Sequence, residues 1–360
     1  MAAVIEDQKV SEKWGKITPI LKALCQFERR RNVSKIDPPY FSIHKTWLAS
    51  YTFHPRMLAS LISFTTPPIP GLFRKHMLGL LASHLSPSKT YGKLSAQATA
   101  IQFKPDGNRL RAFYLPSKEF KNGLSLKIVP KKDRILTSTR KEISFRKKLE
   151  DLGTIRVPRL YDTEEDDDFL YITEELIQGH RFRHWRHKKL YREQGIPALC
   201  NTYKAIGFHK APLNSYYEPG LVDQLSKIIG KTALEASFLK AVQQAFSENP
   251  EIEIGMCHND LLPSNLGISN NILYFFDWEL VGTGPLLPDL LKLPFKYNNS
   301  YGLVKAVANQ MATEFFAKEN THYHHFAIFI ANKLIKAPEK SKKLLNYWRN
   351  CHHHFRSKLQ

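Results

Sequence analysis

Long apolar runs, paired cysteines and acidic residues are what this 360-residue chain has least of. No stretch reaches the ~18 uninterrupted apolar residues that a membrane-spanning helix needs. The opening residues, MAAVIEDQKVSEKWGK, set acids where a secretory signal would carry a basic region and an apolar core. A cytoplasmic location is therefore expected. The four cysteines, Cys25, Cys200, Cys257 and Cys351, lie far apart without paired spacing. That argues against a disulfide framework and a cysteine-based zinc site, and suits a reducing compartment. Acids number 33 against 53 Lys and Arg, a net charge of +20. Such an excess favours anionic partners: nucleic acid, an acidic membrane face, or phosphorylated and acidic substrates.

What is present is enough to fold. The 42% hydrophobic and 12% aromatic content supports a real core and rules out a wholly disordered chain. At roughly 100–200 residues per domain, the length predicts two domains or two lobes. Residues 1–90 read as an extension that mixes short helical patterns with proline-broken loops at 36–40, 65–71 and 86–92. Its apolar pieces, Met57–Phe64 and Leu72–Leu85, fit a pair of helices packed on the main body. The other reading is an interfacial element beside Arg74, Lys75 and His76, touching the inner face of a membrane.

From about residue 98 the pattern changes to strands. Thr99–Lys104 and Arg109–Leu115 flank the turn composition Pro105-Asp106-Gly107-Asn108 and read as a hairpin. Leu124–Val129 is a third strand, and Arg140–Leu152 a helix that stops at Gly153. Val157–Tyr161 and Phe169–Glu174 flank the acidic run Glu164–Asp168, which reads as a solvated hairpin turn rather than a metal site. Beyond Gly179 the pattern is mainly helical, interrupted by strands near 266–276. The expectation is an α+β protein: an extension over 1–90, a small antiparallel-sheet lobe over 91–178, and a helical lobe over 179–360.

The densest chemistry lies in Cys257–Leu290, CHNDLLPSNLGISNNILYFFDWELVGTGPLLPDL. His258, Asp260 and Asn265 stand at spacing H-x-D-x-x-x-x-N. Leu266–Ile268 and Ile272–Phe276 read as short strands joined by Ser269-Asn270-Asn271, a turn-forming trio. A hairpin would bring Asn265 and Asp277 to one open end. An amide and a carboxylate there are suitable oxygen ligands for Mg²⁺. Asp260 would reach the same place as a base or hydroxyl-orienting group, and His258 would anchor the loop.

This ordered set resembles the catalytic loop and metal-binding segment of the aminoglycoside phosphotransferase and choline kinase family, which has a protein-kinase-like fold. That pattern is H-x-D, four residues, N, a strand, then D-W-E, matched here by His258, Asp260, Asn265 and Asp277-Trp278-Glu279. Gly284-Pro285 through Asp289-Leu290 is similar to the stretch that follows. The resemblance implies that Asp260 is the catalytic base, that Asn265 and Asp277 hold Mg²⁺, that Asp289 gives structural support, and that ATP is the phosphate donor. It covers about residues 95–300.

The upstream chain is consistent with this. Leu124, Leu126 and Ile128 share one strand face, which sets Lys127 on the other, where a kinase needs a lysine for the α- and β-phosphates. Glu142 shares a helix face with Phe145, Leu149 and Leu152, so its carboxylate needs a cation, either Lys127 or, at i,i+4, Arg146. Phe169–Gly179, FLYITEELIQG, resembles the inter-lobe hinge, whose backbone at Glu175, Leu176 and Ile177 would bind the adenine edge. The phosphate-covering loop is either Lys104–Arg109, with a single glycine, or Ser88–Ser95.

The acceptor is read from charge. Residues 286–360 hold twelve Lys/Arg against four Asp/Glu, and His180–Lys189 adds a basic block. A polycationic acceptor would be repelled, so an anionic small molecule, sugar or glycan, or a lipid-linked saccharide, fits better. Phe182 and Trp185 could stack on a sugar ring or belong to the core. His322, His324, His325 and His352–His354 lack the companion ligands of a metal site. Two rival classes remain: a catalytically silent kinase-fold nucleotide-binding protein with a regulatory role, and a basic nucleic-acid-binding protein. The second rests on charge alone and ranks last.

Overall fold

A computed structural model describes residues 19–20, 22–24, 26–31, 40–43, 46–48, 100–103, 109–114, 123–177, 179–296, 301–315 and 320–355. The expectations placed on Met57–Phe64, Leu72–Leu85, Ser88–Ser95 and the turn at Pro105–Asn108 lie outside these residues. The chain divides into two compact units. One takes in 1–147, 157–181 and 267–274, the other 148–156, 182–266 and 275–360.

The first unit is built on a seven-stranded sheet. Its strands are β1 (Tyr40–Ile43), β2 (Thr46–Leu48), β3 (Ala100–Phe103), β4 (Leu110–Tyr114), β5 (Leu124–Pro130), β6 (Leu160–Glu165) and β7 (Phe169–Glu175), in the order β2-β1-β3-β4-β5-β7-β6. Every pairing is antiparallel except β1 with β3, which is parallel. Strand β5 has neighbours on both edges, with Lys127 in register with Arg111 of β4 and Ile172 of β7. Its burial on both faces from Leu124 to Val129, where alternation alone predicts only one buried face, comes from cover on each side. Ile135, Leu136 and Ile143 pack with Val129 on one face. On the other, Ile128 and Leu124 are in register with Tyr171 and Tyr114, which meet Phe27 and Glu28. Residues 160–165 form β6, so the acidic run starts inside a strand rather than after it. Its turn is tied by Asp166, whose Oδ1 accepts the N–H groups of Asp168 and Phe169.

The extension is partly integral to this unit. The backbone is helical at 19–20, 22–24 and 26–30, and Ile20, Ala23, Leu24 and Phe27 are buried at offsets of three, four and seven. Phe27 stacks on Tyr171 with ring centroids 5.6 Å apart, and Glu28 accepts the Tyr114 hydroxyl at 2.8 Å. Strands β1 and β2 also belong to residues 1–90 and were not expected there. The helix α1 (Asp133–Leu152) begins seven residues before the predicted start, because Ile135 and Leu136 join Ile143 against Val129, Leu170 and Ile172. It ends as expected, with Gly153 at φ +63° donating its N–H to the Leu149 carbonyl.

After β8 (His180–Arg181) the second unit is mainly helical. A helical run through α2 (His184–Leu190), one wider turn at Tyr191–Gly195 and α3 (Ile196–Ile206) leads to β9 (Phe208–Pro212) and α4 (Leu221–Ser226). Helix α5 (Ala233–Glu248) starts at a capping box: Thr232 Oγ1 accepts the Glu235 N–H while Glu235 accepts the Thr232 N–H. Then come β10 (Glu251–Cys257), β11 (Leu266–Ser269), β12 (Ile272–Phe275) and β13 (Gly282–Pro285). Four further helices follow: α6 (Leu286–Lys296), α7 (Tyr301–Phe315), α8 (Thr321–Lys336) and α9 (Ser341–Cys351).

The hairpin β11–β12 matches expectation, and β8 adds a third strand to it. The sheet β13-β10-β9 was missed, since its short strands are separated by up to about forty residues and pair only through the tertiary fold. No helix among the described residues is long and apolar enough to cross a membrane.

Beneath the first sheet lies a buried ion network that periodicity did not reveal. Arg146 Nη1 donates to Glu174 Oε2 at 2.5 Å, Arg146 also bonds the Pro158 carbonyl, and Ser125 Oγ and Arg111 Nη2 face Glu174 Oε1 at 3.1 and 3.4 Å. Burial alone would raise the Glu174 pKa. The Arg146 and Arg111 charges and the Arg146 hydrogen bond outweigh it and hold the carboxyl at about 2. A depressed carboxylate pKa contributes stability that is complete above the unfolded value near 4.5 and is lost as pH falls toward 2. Urea unfolding across pH 7 to 2 should show this loss. Glu174→Gln should lower stability at pH 7 by about 3–5 kcal/mol, since it strands two arginines, and flatten the acid limb.

Candidate active site

In the first unit Lys127 Nζ donates to Glu142 Oε2 at 2.7 Å, both side chains nearly inaccessible to water. Strand β5 and helix α1 supply the two groups. Arg146 Nη1 lies 3.8 Å from Glu142 Oε1, so both cations considered for Glu142 meet it, and the Arg146 contact is buried rather than on the surface. Through Arg146 the pair continues to Glu174 and Arg111. Charges alternate in sign along the whole chain, which is what lets five ionised groups share a low-dielectric interior.

The hinge residues close strand β7. The Glu175 N–H donates to the Arg159 carbonyl at 2.8 Å, and its carboxylate accepts the Arg159 N–H at 3.2 Å. That N–H is committed, so Glu175 can offer a ligand its carbonyl only. Leu176 and Ile177 are buried. Gly179 is required for close approach: a Cβ there would stand 2.0 Å from the Ile268 carbonyl oxygen of β11.

In the second unit the loop from His258 to Asn265 leaves β10, which β9 and β13 hold on either side. Asp289, on the first turns of α6, fixes its start. Its Oδ2 accepts the His258 N–H and the Tyr203 hydroxyl, each at 2.8 Å. Its Oδ1 accepts the Asn259 N–H at 2.9 Å and Lys292 Nζ at 3.2 Å. Asn259 sits at φ +62°, a region that Asn tolerates better than most residues, and its Nδ2 donates to the Leu280 and Gly282 carbonyls. His258 is wholly buried against Trp278, ring centroids 4.3 Å apart. Its Nε2 faces the Phe276 carbonyl at 2.8 Å, while its Nδ1 faces the Asp260 N–H at 3.3 Å. A carbonyl partner needs a donor and an N–H partner needs an acceptor, which assigns the neutral tautomer protonated at Nε2.

Asn265 Nδ2 donates to both the carbonyl oxygen and Oδ2 of Asp260, at 2.8 and 2.9 Å. The Phe276 N–H donates to the Asn265 carbonyl at 2.9 Å, which brings Asn265 and Asp277 to one end of the β11–β12 hairpin. Asp277 takes a left-handed conformation at φ +61°. Asp260 is partly buried, and its pKa is raised first by that burial and further by Asp277. The Asn265 hydrogen bond and the Lys292 charge oppose the rise.

Among the described residues no group of three or more His, Cys, Asp or Glu side chains could hold a metal ion alone. The Asn265 amide oxygen and the Asp277 carboxylate still fit Mg²⁺, a hard cation that takes few protein ligands and completes its shell with water and phosphate oxygens.

Several residues outside the sequence reading belong to this construction: Asn259, Tyr203, Lys292 and the Arg146–Glu174 pair. Asp289 is the exception, anticipated as support. Phe182 is core, packed on His187 and Tyr191, and not a stacking surface. His322, His324 and His325 are buried on α8, facing Glu253, Glu248 and the Tyr217 hydroxyl respectively.

Residues 105–308, more than half of the chain, match the APH phosphotransferase enzyme family. Protein LicA of Haemophilus influenzae is 32% identical over 99 residues, which is 27% of this chain and 35% of LicA, so the match spans about a third of that relative. Among solved structures, the amicoumacin kinase hAmiN in complex with AMP-PNP, Ca²⁺ and Ami has 11% identity and a TM-score of 0.40, covering 69% of this chain and 86% of that one. Choline kinase LicA from Streptococcus pneumoniae has 15% identity and a TM-score of 0.36, covering 69% and 90%. With that match running from residue 105 to residue 308, this chain belongs to the APH phosphotransferase enzyme family, and its described elements form an α+β fold.

Proposed function

We propose that the protein is a kinase that transfers the γ-phosphoryl group of ATP, with Mg²⁺, to a hydroxyl of an anionic small molecule, sugar or glycan, either free or lipid-linked. The observation that carries this reading is the bond from Asn265 Nδ2 to Asp260 Oδ2 at 2.9 Å. It points one carboxylate oxygen into place while leaving the Asn265 amide oxygen available beside Asp277.

Each group then has a task. Lys127, held by Glu142, binds the α- and β-phosphates. The Glu175 carbonyl and the backbone at Leu176 and Ile177 take the adenine edge. Asn265 and Asp277 would hold Mg²⁺, which supplies charge neutralisation on the phosphates. Asp260 orients the acceptor hydroxyl. As that oxygen bonds to the γ-phosphorus and the bond to the ADP oxygen breaks, the hydroxyl proton passes to Asp260. His258 is a positioning residue, since both ring nitrogens are engaged by backbone. Asp289 fixes the backbone from which Asp260 projects.

Two outcomes are expected. In the wild type, label from γ-labelled ATP should enter one fraction of an extract separated into soluble metabolites, lipid-linked saccharides and polymeric glycan. Asp260→Asn should reduce that transfer by about 10²–10⁴-fold while binding of AMP-PNP with Mg²⁺ persists. Appreciable transfer by both Asp260→Asn and Asp277→Asn would sink the mechanism. Asp289→Asn replaces two of its acceptor sites with donors. It should lower kcat by about 10²-fold through misplacement of Asp260, with faster amide exchange at His258 and Asn259 and an unchanged affinity for AMP-PNP. Unchanged exchange at those amides would remove Asp289 from the positioning role.

A further inference from the structure

Helices α6 and α8 of the second unit carry a group of cations, of which Lys292 supports the loop through Asp289 while Lys333 and Lys336 have no part in the phosphotransfer steps. Lys333 on α8 is only partly exposed. Its ammonium lies 5.7 Å from the ring centre of Phe295 on α6 and 5.4 Å from that of Phe329 on α8. Among the described residues no carboxylate pairs with it. Lys336 follows one turn later on the same helix and is exposed. Lys292 lies one turn before Phe295 on α6 and touches Asp289 at 3.2 Å. Asp289 in turn holds the N–H groups of His258 and Asn259, so this cluster adjoins the loop that carries Asp260.

A half-buried ammonium needs compensation. The aromatic rings provide some, each cation–ring contact being worth about 0.5–2 kcal/mol. The neighbouring charges act in the opposite direction. Lys292 stands one turn before Phe295, and Lys336 one turn after Lys333, so the Phe295 contact and the helix spacing group the three lysines. Burial lowers the Lys333 pKa, and the like charges of Lys336 and Lys292 add to that. Asp289 offsets part of one of these charges and leaves about two in excess. Lysines grouped against their own repulsion, with one ammonium set beside a pair of rings that pack edge to face 5.3 Å apart, form a preorganised anion receptor.

We propose that Lys292, Lys333 and Lys336 form the anion subsite of the acceptor, which takes a phosphate monoester carried by the molecule whose hydroxyl is phosphorylated. This rests on the kinase reading above and narrows it. A monoester carries about −1.5 to −2 charges near pH 7, which matches the excess, whereas a single carboxylate would leave one cation uncompensated. Phe295 and Phe329 give the carbon skeleton next to the phosphate an apolar wall. The substrate class is thus a phosphorylated polyol or sugar.

The experiment is calorimetric titration of the full chain, with and without AMP-PNP and Mg²⁺, by matched probes: glycerol against glycerol phosphate, and ribitol against ribitol phosphate. The phosphorylated member of at least one pair should bind about ten-fold or more tightly than its neutral twin. Lys333→Met keeps an unbranched stem beside the rings and should erase that preference, Lys333→Arg should keep most of it, and the exposed Lys336→Gln should reduce it. AMP-PNP affinity should be the same in all three variants. Equal binding within both pairs, no binding of either phosphorylated probe, or a preference that survives both Lys333→Met and Lys336→Gln would overturn the subsite and assign Lys333 to packing. A wild type that prefers the phosphorylated probes without binding AMP-PNP would strike the kinase reading and leave the subsite standing.

Discussion

One buried carboxylate organises the second unit. Asp289 is almost inaccessible to solvent and accepts from two consecutive backbone N–H groups, a tyrosine hydroxyl and a lysine. A buried carboxylate without such donors would be strongly destabilising, so the fold holds these groups together as a set. The backbone at His258 and Asn259 is thereby fixed to the first turns of α6. Asn259 is held left-handed, which turns the chain so that Asp260 meets the Asn265 amide. Preorganisation of this kind would place the Asp260 carboxylate before substrate arrives in the proposed reaction.

The first unit solves a similar problem with a different device. Arg111, Glu174, Arg146, Glu142 and Lys127 alternate in sign across β4, β7, α1 and β5. No charge in the row lacks an opposite neighbour, and Ser125 Oγ and the Pro158 carbonyl take further bonding capacity. Lys127 is therefore held in one geometry by groups that themselves cannot shift. The N-terminal helix adds to the same sheet through Phe27 on Tyr171 and Glu28 on Tyr114, so part of the extension supports this unit instead of lying apart from it.

The catalytic pattern was legible because its chemistry is local. His258, Asp260 and Asn265 fall within eight residues, and the β11–β12 turn brings Asp277 back within a dozen more. The Lys127–Glu142 pair was legible for a different reason: a lysine between apolar strand positions and a glutamate on an apolar helix face each require a partner. Phe182 could not be placed from its spacing, since a buried and a ligand-facing aromatic have the same period. The sheet β9-β10-β13 escaped for the reason that hydrogen bonding between distant short strands leaves no periodic trace. Strand β5 looked half-buried because alternation says nothing about what covers its second face.

By itself the sequence carried the family: an ordered set of acid, amide and lysine that resembles the phosphotransferase pattern, alongside an excess of Lys and Arg over Asp and Glu. Those properties depend on residue identity and short-range spacing, which the chain carries in one dimension. Only the tertiary structure decided which groups meet at long range. It set Asp289 under the loop, tied Arg146 to Glu174 as well as Glu142, committed the Glu175 N–H to Arg159, and set Lys333 beside the Phe295–Phe329 pair. Each of these contacts joins elements far apart in the chain, and their energies exist only once water has been removed from between them.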